Sequence, residues 1–264
     1  MNHFNFHKPS TIADAVASLK AADEGKLLAG GQSLIPVMKL DMAAPTDLIS
    51  LAGIDELRGI HQDGDAIMVG ASVTHAEVEH SALIADKLPA LAALAAGIGD
   101  PQVRNRGTLG GSIAHADPAA DYPAAIVGLG ATIKTNQREI AADDFFVGLF
   151  ETQLEEHELI TAVVFPLVKR ASYAKFPSPA SKFAVVGVMV AETGSGVRVA
   201  VTGAGACVFR ATAMEAALAT NFAASALDGI AIDDDEFNSD LDASAEFRAH
   251  LVGVMARRAV AAVS

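Results

Sequence analysis

A chain of 264 residues with 51% apolar side chains can bury a sizeable core and fill one to three domains. Its formal charge of −13, from 19 basic and 32 acidic side chains, offers no basic stripe to a nucleic-acid backbone. No apolar run reaches the ~18 residues of a membrane helix, and the single cysteine, Cys207, excludes an internal disulfide or an iron–sulfur cluster held by this chain alone. The opening MNHFNFHKPS lacks the apolar core and cleavage site of a signal peptide, so a cytoplasmic location is expected.

Residues 10–22 are predicted to form a helix, because Ile12, Val16 and Leu19 recur at helical spacing and Thr11 with Asp14 gives a capping start. A short strand over 26–29 runs into Gly30-Gly31-Gln32-Ser33, and Ser33 is placed to cap the short helix after it, with Pro36 in its first turn. Strands are predicted at 47–51 and 66–70, a capped helical region after Thr74 and Glu77, and a helix from Pro89 to about Gly97. Farther on, 122–129 reads as helix, 131–135 and 158–165 as strands. The Pro/Ser/Lys-rich stretch 166–181 reads as a connector and domain boundary. Residues 183–192 and 197–202 form a predicted hairpin, and 210–219 and 243–263 predicted helices. Asp233-Asp-Asp-Glu236 is read as a solvated loop, since no calcium-loop spacing surrounds it. No H-E-x-x-H, cysteine cluster or nucleophile–base pair stands out, so neither a metal site nor catalytic residues are assigned.

Two glycine-rich stretches carry the chemistry. The first is Leu28-Ala29-Gly30-Gly31-Gln32-Ser33-Leu34; the second, residues 104–121, reads RNRGTLGGSIAHADPAAD and holds Gly107, Thr108, Gly110, Gly111 and Ser112. Glycine beside hydroxyl side chains suits a loop whose N–H groups face an anion. Two such loops point to one ligand with two phosphates held between them, against the plainer reading of strand-to-helix turns that bind nothing.

The runs AGGQSLIPVMKL and DPQVRNRGTLGGSIAHADPAAD closely resemble the flavin-binding medium subunits of aerobic carbon monoxide dehydrogenases, and more broadly the FAD domains of the xanthine dehydrogenase family. The likeness runs from Phe4 to about Pro166 and continues more weakly to the C-terminus. It implies an α+β fold: an FAD-binding domain over 1–166 of two α/β subdomains of the PCMH type, about 1–52 and 53–166, then an antiparallel-sheet-plus-helices domain over 167–264. It also implies that the two glycine loops wrap the FAD pyrophosphate, with Gln32 where relatives often carry histidine. By the same resemblance the acid at Asp121 lies near the flavin or its ribityl chain, and Ile98, Gln102 and Val103 lie beside the isoalloxazine or adenine.

From the residues alone, Asp117 reads equally as a helix cap, His115 as a ligand contact or a structural histidine, and Arg104 and Arg106 as phosphate counter-charges or partners for surplus acids. The stretch 173–182 departs from the family, replacing a basic pair with two prolines; Tyr173 and Lys182 are its candidates for reaching the flavin.

The resemblance implies non-covalent FAD in an electron-transfer subunit of a molybdenum hydroxylase. A small 2Fe–2S subunit and a large molybdenum subunit are the expected partners, with an external electron acceptor, in two copies each of three chains. A self-contained flavin oxidase of the vanillyl-alcohol type would need a substrate domain larger than the segment after Pro166. A flavin-binding protein without partners is the non-enzymatic alternative.

Overall fold

The computed structural model of the chain describes residues 2–263. The first sheet is parallel. Its strands are β1 (Asn5–His7), β2 (Gly25–Leu28) and β3 (Asp47–Ser50), with β3 in the centre. Helix α1 (Ile12–Ala21) joins β1 to β2, its first turn closed by Thr11 Oγ1 accepting from the Asp14 N–H. Ile12, Val16 and Leu19 pack on Ile49, Leu51 and Ile54 as their spacing requires. Helix α2 (Leu34–Lys39) follows the first glycine loop. Strand β1 was not anticipated, because three half-exposed residues make too short a pattern.

The second sheet is antiparallel, built from β4 (Ile60–Asp63), β5 (Ala66–Gly70), β6 (Thr132–Thr135), β7 (Glu139–Ala141) and a later strand, residues 160–166. Helices α3 (His75–His80), α4 (Ala82–Lys87), α5 (Pro89–Ala96), α6 (Pro101–Arg104), α7 (Leu109–His115) and α8 (Tyr122–Leu129) come between β5 and β6. Every residue of α8 is buried, so it reads as apolar all round. After β7, the short helix α9 (Ala142–Phe145) leads into a hairpin of β8 (Phe146–Gly148) and β9 (Glu151–Thr152), and β10 (Ile160–Pro166) then pairs with both β5 and β6.

The third sheet is an antiparallel run of β11 (Arg170–Pro177), β12 (Ala184–Thr193), β13 (Gly196–Thr202) and β14 (Phe209–Arg210). Helices α10 (Thr212–Thr220) and α11 (Ala245–Ala261) pack on it. Val186, Val188 and Val190 face that helical core, while Met189 and Ala191 join the core of the second sheet. Strand β12 is therefore covered on both faces, which explains its unbroken apolar run.

The expected connector at 166–181 is largely strand: β11 pairs with β12 through Tyr173↔Met189 and Lys175↔Gly187. Its prolines misled the sequence reading. Pro177 sits at the end of an edge strand, beside a register shift, where a missing N–H costs no ladder bond. Asp233–Asp235 lie in a loop, with Asp233 Oδ1 accepting the Asp235 N–H at 3.2 Å, and no helix is long and apolar enough to cross a membrane.

Candidate functional site

Strand β2 ends at Leu28, and residues 29–33 turn outside the carboxyl end of the parallel sheet, where open sheets of this kind receive ligands. Gly31 takes φ +72°, a left-handed conformation that a β-branched residue strongly disfavours. The turn is held by the Ile35 N–H donating to Gly31 O at 3.1 Å. Ser33 occupies the position before α2, but its hydroxyl makes no capping bond, contrary to expectation. Among the described residues none accepts a hydrogen bond from the N–H groups of Gly30, Gly31, Gln32 or Ser33. These four are half-buried or exposed donors on one turn whose N–H groups are left open, the arrangement an anion-facing loop requires.

The second motif is built differently from its sequence reading. Asp100 Oδ1 caps α6 by accepting from Gln102 and Val103 N–H groups at 2.8 and 2.9 Å. After α6 the chain passes behind α3: Thr108 bridges Thr74, and the His75 N–H donates to Gly107 O at 2.9 Å. Thr108 then caps α7, its Oγ1 accepting from the Gly111 N–H at 3.1 Å. Gly107 and Gly110 donate to Val103 O and Ala71 O. The expected loop of anion-facing N–H groups is therefore a helix start whose glycine N–H groups are engaged within the protein. These glycines serve close packing, since a Cβ at Gly110 would fall on Ala71 and one at Gly107 on His75. The Ser112 hydroxyl makes no hydrogen bond to the described protein.

The two motifs meet. A Cβ on Gly30 would coincide with the carbonyl of Arg106 and lie 2.8 Å from Gly107 Cα; one on Gly111 would lie 3.2 Å from Ala29 Cβ. Backbone contacts this close require glycine on one side. Arg106, at the junction, is exposed and has no carboxylate partner among the described residues, whereas Arg104 pairs with Glu79 at 2.7 Å and donates to Ile98 O at 3.1 Å. Of the two arginines, only Arg106 is free for an anion.

The remaining candidates are spread more widely. Ile98 lies between α5 and α6, and Gln102 and Val103 lie on α6. His115, at the end of α7, packs its ring 5.0 Å from that of Phe150. Asp117 Oδ1 accepts the Ala119 N–H at 2.9 Å and closes the turn at Pro118, a turn rather than the helix cap considered from the sequence. Asp121 is 4% exposed. The Tyr173 hydroxyl donates to its Oδ1 at 2.6 Å and the Lys175 ammonium to its Oδ2 at 3.0 Å. Burial pushes the Asp121 carboxyl up, against the opposing pull of Lys175 and Tyr173. Lys182, with φ +65°, offers its carbonyl to Lys175, not its ammonium to a site.

Three residues that shape the site were missed. Asp100 was visible as an Asp-Pro helix start. His75 sits directly behind Gly107, and burial with Arg104 nearby lowers its pKa to about 4. Lys175 owes its role to contacts with residues 54 and 78 positions away, and no local pattern announces those.

The residues gathered at this junction fit an FAD molecule. A turn of open N–H donors stands against a second glycine segment, with a free arginine and a free serine hydroxyl beside them. Residues 2–168 match the family described as the FAD binding domain in molybdopterin dehydrogenase. The chain belongs to that family of oxidoreductase subunits. It is 35% identical to the carbon monoxide dehydrogenase medium chain of Hydrogenophaga pseudoflava, over 97% of this chain and 96% of the other. It is 34% identical to the nicotine 6-hydroxylase medium subunit of Paenarthrobacter nicotinovorans, over 97% and 95%. Among solved structures, a carbon monoxide dehydrogenase from Hydrogenophaga pseudoflava superposes with a TM-score of 0.91 at 36% identity, covering 98% of this chain and 96% of that one.

Proposed function

We propose that this chain is the FAD-carrying electron-transfer subunit of a molybdenum hydroxylase complex. It accepts electrons from a 2Fe–2S subunit, which draws them from a molybdenum centre on a large subunit, and delivers them to an external acceptor. The observation that carries this reading is the junction of Gly30 with Arg106 and Gly107 beside the open N–H groups of residues 30–33. In this reading Gly30, Gly31, Gln32 and Ser33 hold one phosphate through backbone donors. Thr108, Ser112 and Arg106 supply polar and positive groups for the other, and Gly107, Gly110 and Gly111 keep the two segments close. Leu28, Ala29 and Leu34 frame the first turn, and Ile98, Gln102 and Val103 border the far end of the ligand. His115 and Asp117 shape its surroundings, and Asp121 acts through Lys175.

Bound FAD supplies the electron storage, and the protein supplies position and electrostatics. In this reading residues 1–166 form the FAD-binding part and 167–264 a separate C-terminal domain. The subunit works in a particle of two copies each of three chains.

The test is on the full-length chain. Purified alone, it binds one FAD, and acid precipitation releases the colour into solution because neither glycine segment offers a covalent attachment. Gly111→Val leaves the fold and removes the flavin. Co-expression with an iron–sulfur subunit and a molybdenum subunit yields one particle containing FAD, iron and molybdenum. Substrate turnover by the metal-free chain alone would establish a self-contained oxidase instead.

A further inference from the structure

His75 is 5% exposed, and its buried Nδ1 has no hydrogen-bond partner among the described residues. Its Nε2 is turned toward Gly107, where a Cβ would fall 2.4 Å from Nε2 and 2.8 Å from Cδ2. Nε2 makes no hydrogen bond to the described protein either. The backbone fixes this arrangement: the His75 N–H donates to Gly107 O at 2.9 Å, and Thr74 bridges Thr108. Gly107 also meets Gly30, whose Cβ would lie 2.8 Å from Gly107 Cα. It thus touches both the imidazole and the first glycine loop, and any side chain on it would cover Nε2.

Tyr122, the first residue of α8, carries a second orphan. Its ring centroid is 5.3 Å from that of His75, and its hydroxyl is buried without a partner. Burial, with Asp121 beside it, pushes the tyrosine pKa up, so the hydroxyl keeps its proton and can donate. Burial, with the Arg104 guanidinium nearby, lowers the His75 pKa to about 4. Near pH 7 the imidazole is therefore neutral, with one nitrogen a donor and the other an acceptor. One hydrogen bond from the Tyr122 hydroxyl to Nδ1, direct or through a single water, satisfies both orphans. That pairing leaves the proton on Nε2, on the Gly107 side.

We infer that His75 is a further ligand-binding residue: its Nε2–H donates past the bare Cα of Gly107 to a phosphate oxygen held at the glycine junction, with Tyr122 fixing the tautomer. This rests on the FAD-binding reading above, and adds to it a donor from α3, an element outside both glycine motifs. A buried N–H without an acceptor is costly, and the phosphate oxygen supplies one. A neutral donor also suits the place, because Arg104, already paired with Glu79 at 2.7 Å, would repel a second cation there.

Nitrogen-15 NMR of the histidine side chains in the full-length chain tests this, with FAD as the probe. At pH 7 the FAD-free chain shows His75, identified by its absence from His75→Gln, as the Nε2–H tautomer. Adding FAD shifts the His75 Nε2 resonance and leaves Nδ1 without a proton. Tyr122→Phe, which removes only a hydroxyl, admits the Nδ1–H tautomer. His75→Gln keeps an N–H near the Nε2 position and binds FAD within about threefold of wild type, whereas His75→Leu binds it about tenfold more weakly. If His75→Leu does not fold, the result is read on the wild-type spectra. Unchanged FAD affinity in folded His75→Leu, or a His75 signal that is Nδ1–H or indifferent to FAD, overturns this inference alone. Failure of the wild-type chain to bind FAD overturns the flavin reading and this inference together.

Discussion

Burial behind Gly107 leaves His75 5% exposed and, with Arg104 near, holds its pKa at about 4. An unfolded histidine titrates near 6.5, so between that pH and about 4 the unfolded chain binds a proton that the folded chain refuses. Stability therefore falls as the solution is acidified through that window, by up to about 3 kcal/mol for this one group. His75→Gln is expected to flatten that part of the curve, read as the difference between wild-type and variant denaturation midpoints at pH 7 and pH 4.5. Equal slopes would remove His75 as the cause. At Gly30 the constraint is steric. Gly30→Val places carbon on the Arg106 carbonyl, so the two motifs must separate. The expected outcome is a folded chain that no longer retains FAD, measured by flavin absorbance after gel filtration.

Helix α3 shows what an element contributes to the site behind it. It has a complete capping box, with Thr74 Oγ1 accepting from the Glu77 N–H and the Glu77 carboxylate accepting from the Thr74 N–H at 2.7 Å. The same Thr74 pairs with Thr108, the cap of α7, so two helix starts share one short bridge. Thr74→Ala removes a cap worth about 1 kcal/mol. For a chain of this size that lowers Tm by about 2–4 °C. Differential scanning calorimetry gives the number, and an unchanged Tm would show that the bridge to Thr108 suffices without the hydroxyl.

Across the whole molecule, the third sheet is joined to the rest through α8 and the two-faced strand β12. A Cβ on Gly128 would lie 2.5 Å from Met189 Cγ and 2.9 Å from its Cβ, so α8 and β12 are in contact where glycine permits it. Gly128→Leu overpacks that seam and is expected to cost on the order of 1–3 kcal/mol. It should lower the urea midpoint, whereas Gly194→Ala, whose Cβ meets nothing within 4 Å, should leave it unchanged. Equal midpoints for both variants would mean that the seam relaxes without cost.

The amino-acid sequence by itself determined the elements whose cause is local. Helix α8 appeared with its observed bounds, Tyr122–Leu129, because an unbroken apolar segment ends at a glycine free to take φ +66°. The capped starts at Thr11 and Thr74 were legible from side chains three residues apart, and the two glycine segments from their composition. What the sequence could not show was how these parts use each other. The second glycine motif reads as a loop of free donors, yet Val103, Ala71 and Thr108 consume the N–H groups of its glycines, and Ala71 belongs to a distant part of the chain. The prolines of 166–181 argued for a connector, because local rules cannot tell that β11 lies at a sheet edge. Asp121 was read only as an acid near the ligand; that Tyr173 and Lys175 hold it from β11 was decided by tertiary packing. Local patterns record covalent neighbours within about one helical turn. Pairing across a sheet edge, and the burial of one charge by another some fifty residues away, are decided only when the chain has closed on itself.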